Sequence, residues 1–318
     1  MRVGLIVAEG CFTSGLAALL DILNTAEALR PVVDPAIAPL EITVAGFRKR
    51  VTTSAGLTVA TDCVPGELSG VDVVAIPAVG TKGEDDVQAL LDSRDVRRMV
   101  TVVGPLRDEG CTLAAACTAV FPLAQSGVLD GHRATTTWWL GAAFKRRFPA
   151  VHLDLDSMVV TDADMVTAGA AFSHIDLALT LVRRVSASLA DTVARHLVID
   201  ERPAQSVYVA VDHLSHSDPT LVAFERYVRA HLSDALDVAG VAAALGTSRR
   251  TLERRIDAAV GMSPLSLIQQ LRVERATHLL RTSDRGMDDV AAQVGYANAS
   301  TLRTLLRRFR GGSGRVAG

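Results

Sequence analysis

The chain has 318 residues, about twice the length of an ordinary domain, so two domains are expected. Its composition, 49% hydrophobic, 21% charged and 4% aromatic, is that of a packed globular protein and excludes a disordered or collagenous chain. With 33 Lys+Arg against 35 Asp+Glu the net charge is −2, far too little positive charge for a non-specific, chromatin-like DNA binder.

Val3–Ala8 is a short apolar run rich in β-branched residues and predicts a strand. It stops at Glu9, too soon for a secretory signal. No stretch reaches the ~18 apolar residues of a membrane helix, so a soluble cytoplasmic protein with no membrane partner is expected. Thr13 or Ser14 caps a helix that carries Leu16, Leu19, Leu20 and Leu23 at helical spacing. Glu41–Gly46 and Val71–Pro77 are further strands, and Val96–Val103 has helical spacing. Thr112–Ala116 is a fourth strand and leads straight into Cys117, and His132–Thr136 is a short fifth. Val159–Thr161 and Met165–Thr167 flank Asp162-Ala163-Asp164 as a hairpin, and Ile175–Val198 reads as one long amphipathic helix. Strands alternating with helices, and apolar along nearly their whole length, predict an α/β domain with a parallel sheet covered on both faces. The four cysteines (Cys11, Cys63, Cys111, Cys117) show no C-x-x-C spacing. They fit a reducing compartment rather than a disulfide framework, and neither a metal nor a cofactor is expected.

The texture changes near residue 200. Residues 200–217 hold Pro203 and a polar run and read as a linker between domains at 1–199 and 218–318, although Val207–Val211 has the pattern of an edge strand. Beyond the linker every periodic segment is helical, and residues 218–318 carry about +5 against about −7 for the rest. That asymmetry points to an anionic partner for the C-terminal part. Val238–Leu245 is a short helix stopped by Gly246, and Thr247 or Ser248 caps a second one. This is the helix-turn-helix pattern. Leu252, Ile256 and Val260 share one face of the second helix, which leaves Arg249, Arg250, Arg254 and Arg255 outward. The pattern recurs with Met287–Val294, Gly295, and a helix from Ser300 that turns Leu302, Leu305, Leu306 and Phe309 inward. Arg303, Thr304, Arg307 and Arg308 are then left outward. Pro264 opens a connecting helix to about Arg281, long enough to hold two recognition helices one DNA turn apart, roughly 34 Å.

The runs L-G-T-S-R-R-T-L-E-R-R, G-M-S-P-L-S-L-I-Q-Q-L-R-V-E-R-A-T-H-L-L and D-V-A-A-Q-V-G-Y-A-N-A-S-T-L-R-T-L-L-R-R-F resemble the AraC/XylS family of DNA-binding domains over roughly residues 220–310. The resemblance implies an all-α domain with two helix-turn-helix units and double-stranded DNA as partner. Ser248, Arg249, Arg250, Thr251 and Arg254 are expected at DNA from the first unit. Asn298, Ser300, Thr301, Arg303, Thr304 and Arg307 are expected from the second. The chain departs from the family at its end, where G-G-S-G-R-V-A-G replaces the usual G-x-S-P segment.

Cys117 stands at a strand–helix elbow, where the amides of Thr118 and Ala119 face it. A helix N-terminus favours thiolate, so a lowered pKa is expected there. The residues alone leave two roles open: a nucleophile or anion-sensing pocket, and a small apolar cysteine buried in a core. The runs V-G-L-I-V, I-P-A-V-G, A-A-A-C-T-A-V-F-P-L-A, G-V-L-D-G-H-R-A-T-T-T-W-W and T-A-G-A-A-F-S-H-I-D-L-A-L-T-L-V resemble the ThiJ/PfpI branch of the class I glutamine amidotransferase-like superfamily. The likeness spans about residues 2–190 and implies a flavodoxin-like sheet. Where the family's enzymes place a histidine base, this chain has Thr137, and threonine is no general base near neutral pH. His132 and His174 are the substitutes within reach of the sequence. Combined with the C-terminal runs, the chain resembles GlxA-type AraC/XylS regulators. That implies no enzyme but a transcriptional regulator, with an unidentified small-molecule effector bound beside Cys117 by Asp21, Gly80, Thr118, Thr137, Trp138 and His174. It also implies a homodimer formed through the N-terminal domain, and RNA polymerase as partner if the protein activates. A cysteine-dependent amidase or hydratase is the alternative.

Overall fold

The computed structural model describes residues 1–80, 83–200, 202, 205, 219–260, 262–283 and 285–310, with side chains of the last helix described through Arg307. The chain divides into two compact units, Met1–Glu201 and Arg202–Gly318. The expected linker, including the strand pattern at Val207–Val211, lies almost wholly outside the described residues, as do the side chains of Arg308 and Phe309.

The first unit is built on a six-stranded sheet of order β2-β1-β5-β6-β10-β9. The strands are β1 (Arg2–Val7), β2 (Glu41–Gly46), β5 (Val73–Ile76), β6 (Thr112–Ala116), β9 (Val159–Asp162) and β10 (Met165–Ala168). All neighbours pair in parallel except β9, which returns antiparallel to β10 through a hairpin with Ala163 at φ 51°. Every residue of β5 and β6 is buried because both faces are covered. Val74, Ile76, Leu113 and Ala115 face one layer with Val96, Met99 and Val103 of α3 (Arg94–Asp108). Val73, Ala75, Ala114 and Ala116 face the other, with Leu16, Leu19 and Leu23 of α1 (Thr13–Val33). The continuous apolar runs in the sequence therefore encode two alternating half-cores, read with the strand period of two.

Two expectations need correction. Ile175–Val198 is two helices, α6 (His174–Val185) and α7 (Ala187–His196). Ser186 leaves helical space at φ −160° and its hydroxyl accepts from the Leu189 amide, so it ends one helix and caps the next. Of His132–Thr136 only β7 (Arg133–Ala134) is a strand, and it pairs with β8 (His152–Leu153) outside the main sheet. The following segment is pulled across the end of β10 instead, where the Thr135 amide donates to Thr167 Oγ1 at 2.8 Å. The hairpin of β3 (Arg50–Thr52) and β4 (Thr58–Ala60) has no counterpart in the sequence pattern, since three-residue strands are too short to show a period.

The second unit is helical: α8 (Pro219–Ala230), α9 (Val238–Ala244), α10 (Arg249–Val260), α11 (Pro264–Thr282), α12 (Met287–Gln293) and α13 (Ala299–Arg310). α9–α10 and α12–α13 are the two helix-turn-helix pairs, and α11 connects them. Asp237 Oδ1 caps α9 through the Gly240 amide at 2.6 Å, and Ser263 caps α11 through the Ser266 amide. Leu252, Ile256 and Val260 of α10 are buried, as are Leu302, Leu305 and Leu306 of α13.

Candidate effector site and nucleic-acid interface

The C-terminal ends of the parallel strands bring Thr118, next to Cys117, and His174 against the loop after β5. β6 ends at Cys117, which is forced to φ 56°, a strained conformation for a side chain. The Thr136 hydroxyl donates to the Cys117 carbonyl at 2.8 Å and holds the elbow open. The Thr118 hydroxyl donates to the Val79 carbonyl and accepts from the Val79 amide at 3.1 Å, which ties the loop after β5 to the elbow. The Thr118 amide and the hydroxyls of Thr137 and Thr118 favour the thiolate, but burial outweighs them and pushes the thiol up to about 11. The expected lowering is therefore wrong: only one short 3-10 turn (Cys117–Ala119) leads into a six-residue helix, α4 (Val120–Gln125), and water is excluded.

His174 does not replace the missing base. Its Nε2 accepts the Ala78 amide at 3.0 Å, so the proton sits on Nδ1, which faces the Ala171 carbonyl. Burial drives its pKa down to about 4, which keeps it neutral. The ring is a bracket between the start of α6 and the loop after β5. It presses so closely on α1 that a β-carbon at Gly15 would lie 2.6 Å from Nε2. His132 lies at the opposite end of the sheet, between Arg107 Nη2 at 3.0 Å and Asp162 at 3.6 Å.

The remaining pocket residues part company. Asp21 is exposed on α1, about 240° around the helix from Gly15, so the expectation that it lines the site is not met. Gly80 is exposed and donates to the Gly10 carbonyl at 3.1 Å. Trp138 is buried and meets the half-buried Trp139 edge-on with centroids 5.2 Å apart. The Ser173 hydroxyl is buried and completes no hydrogen bond, whereas the buried Thr137 hydroxyl faces the Cys117 thiol. No group of three His, Cys, Asp or Glu suited to a metal exists among the described residues.

In the second unit Ser248, Arg249, Arg250 and Arg254 are exposed on and before α10, and Thr251 is half-buried. Ser248 Oγ accepts the Thr251 amide at 3.1 Å, and Asn298 Oδ1 accepts the Thr301 amide at 3.0 Å. These two residues are thus the N-caps of the recognition helices as well as their leading polar groups. Arg249 Nε pairs with Glu253 at 2.8 Å. Arg255 turns back to Thr220 of α8 at 2.7 Å, so it does not point away as the spacing suggests. Ser300, Thr301, Arg303, Thr304 and Arg307 are exposed along α13, with the Thr304 hydroxyl donating to the Ser300 carbonyl at 3.0 Å. The two faces offer arginines and short hydroxyls, the groups that reach phosphates and base edges.

A model of the DJ-1/PfpI family matches residues 1–184, and a helix-turn-helix domain model matches residues 241–313. The chain belongs to the DJ-1/PfpI family. It is 28% identical to the HTH-type transcriptional regulator ArgR of Pseudomonas aeruginosa over 65% of this chain and 64% of that protein. It is 23% identical to the HTH-type transcriptional regulator GlxA of Rhizobium meliloti over 69% of this chain and 68% of that protein. The chain spans between 59% and 64% of the length of the first curated relatives it matches. The crystal structure of an AraC family transcriptional regulator from Pseudomonas putida superposes on 62% of this chain with a TM-score of 0.51 at 23% identity, which shows the shared fold.

Several residues of the DJ-1/PfpI unit that shape the site have no motif of their own. Thr136 and Ser173 look like ordinary core or loop residues in sequence, and only the fold brings them to the strand ends. Phe12 stacks edge-on with Phe172 at 6.4 Å and flanks His174 at 6.2 Å, across 160 residues of chain. The helical wheel finds an exposed arginine, but not an arginine that bends back to a third helix, as Arg255 does.

Proposed function

We propose that this protein is a sequence-specific, DNA-binding transcriptional regulator whose DJ-1/PfpI unit is a non-catalytic sensor for a small-molecule effector. The observation that carries the proposal is the pair of N-capped recognition helices, each with exposed arginines on the face opposite its buried leucines. Named regulators among the relatives support it. The effector site comprises Gly80, Cys117, Thr118, Thr137, Trp138 and His174 at the strand ends, with the Thr137 hydroxyl beside the Cys117 thiol. Dimerisation through the first unit would present two bipartite readers to paired half-sites. An activator of this design would meet RNA polymerase at the promoter, and a reader of chromosomal DNA works in the cytoplasm.

The strained elbow at Cys117 favours a second reading, a cysteine-dependent amidase or hydratase. A thiol held near pKa 11, beside a threonine and a histidine whose lone pair is spent, argues against it. The deciding experiment selects duplexes from a random DNA library with the purified full chain and titrates binding against salt. A regulator retains a common bipartite sequence, and log affinity falls with log salt by about 0.9 per phosphate neutralised. Failure to enrich any sequence at low salt overturns the proposal.

A further inference from the structure

Arg272 lies in the middle of α11, the connecting helix, and is only 7% exposed. A buried guanidinium is costly unless it is paired, yet no carboxylate pairs with it among the described residues. Its partners come from the two halves of the reader. Nη2 donates to the Asp234 carbonyl at 2.6 Å, in the turn between α8 and α9. Its guanidinium carbon lies 5.1 Å from the ring centre of Tyr296, in the turn between α12 and α13. The two turns meet around this one side chain. A β-carbon at Gly295 would lie 2.5 Å from Arg272 Nη2 and 2.5 Å from the Leu232 carbonyl oxygen. Arg272 Nε is buried without a hydrogen-bond partner. Burial raises the pKa of the Tyr296 hydroxyl, while the guanidinium is close enough to favour its ionised form. An aliphatic side chain would fill this place in α11 with less desolvation but would give the two turns no directional link.

We propose that Arg272 is a positioning residue that fixes the separation and angle between the recognition helices α10 and α13. It clasps the turn that leads into the first helix-turn-helix pair to the turn inside the second pair, and touches no DNA itself. The proposal rests on the DNA-reading function above and deepens it: the clasp makes the reader demand one spacing between its two half-sites. One inserted base pair moves a half-site by about 3.4 Å and rotates it by about 35°, which a rigid reader cannot follow.

The test uses duplexes selected by the wild-type full chain from a random library, with the two contacted segments located by footprinting. One and two base pairs are then inserted between them. The wild type should lose at least about tenfold in affinity per inserted pair. Arg272→Met and Tyr296→Leu should bind the parent site several-fold more weakly and lose less than about threefold on insertion. A reselected library should show broadened spacing. Tyr296→Phe keeps the ring under the guanidinium and should stay far closer to wild type in its spacing ratio than Tyr296→Leu. A merely structural role would lower affinity at every spacing alike, so the ratio across spacings is the discriminating readout. Variants as strict in spacing as the wild type, or a wild type indifferent to spacing, overturn the clasp. Where Arg272→Met melts without cooperativity, Tyr296→Leu decides. A wild type that selects no duplex overturns the DNA-binding reading instead.

Discussion

At the scale of single residues the chemistry of the first unit is set by burial. Cys117 at about 11 carries almost no thiolate at pH 7.5, so alkylation by iodoacetamide should be at least tenfold slower than for free cysteine and should keep rising with pH beyond the point where free cysteine levels off. Fast, Cys117-dependent labelling at pH 7.5 would revive the enzyme reading. His174 titrates near 4 when folded against 6.5 for an ordinary histidine. Between those values the unfolded chain binds a proton that the folded chain refuses, so stability falls as the pH drops from 6.5 to 4. The loss is about 3 kcal/mol once both titrations are complete. Denaturation of His174→Gln across this window should show a flatter pH dependence than wild type. Ser173→Ala deletes a hydroxyl that completes no hydrogen bond, so it should leave the melting temperature unchanged or raised.

At the scale of elements the turns of the two readers differ although their sequences repeat. Gly246 and Gly295 both have positive φ, 66° and 76°. A β-carbon at Gly246 meets nothing within 4 Å, so Gly246→Ala should cost only the left-handed strain, about 1 kcal/mol. At Gly295 it would strike the Leu232 carbonyl, which is backbone, so Gly295→Ala should cost clearly more in chemical denaturation. Equal costs would show that the second turn has room. Among the helix faces, Arg250→Ala and Arg303→Ala should each weaken binding to a selected duplex by ~1–3 kcal/mol where the residue meets a base. Arg255→Ala, whose guanidinium is spent on Thr220, should weaken binding less.

At the scale of the whole molecule the charge asymmetry bears on how the proposed regulator would meet DNA. The C-terminal hundred residues carry about +5 on a chain of net −2, so non-specific retention should stay weak and affinity should depend on placed contacts. A dimer in analytical ultracentrifugation, two chains bound per selected duplex, and loss of both in a variant of the first unit would fit the proposed dimerising sensor. A monomer that binds as tightly as the full assembly would not.

Local chemistry was legible in the chain because it repeats on a short period. The buried runs of β5 and β6, the hairpin at Asp162–Asp164, the two capped helix pairs and the arginine faces all follow from spacing, caps and glycine punctuation. What stayed hidden depends on partners far apart in sequence. The elbow amides made Cys117 look acidic, and only the packing showed that excluded water reverses the sign. His174 looked like a spare base until Ala78, 96 residues away, took its lone pair. Asp21 could face the pocket or the solvent by spacing alone, and the wrap of α1 leaves it exposed. Arg272 sat unnoticed in a helical stripe, because a clasp exists only once two distant turns close on it. Spacing records which side a residue faces, whereas dielectric and partners belong to the folded whole.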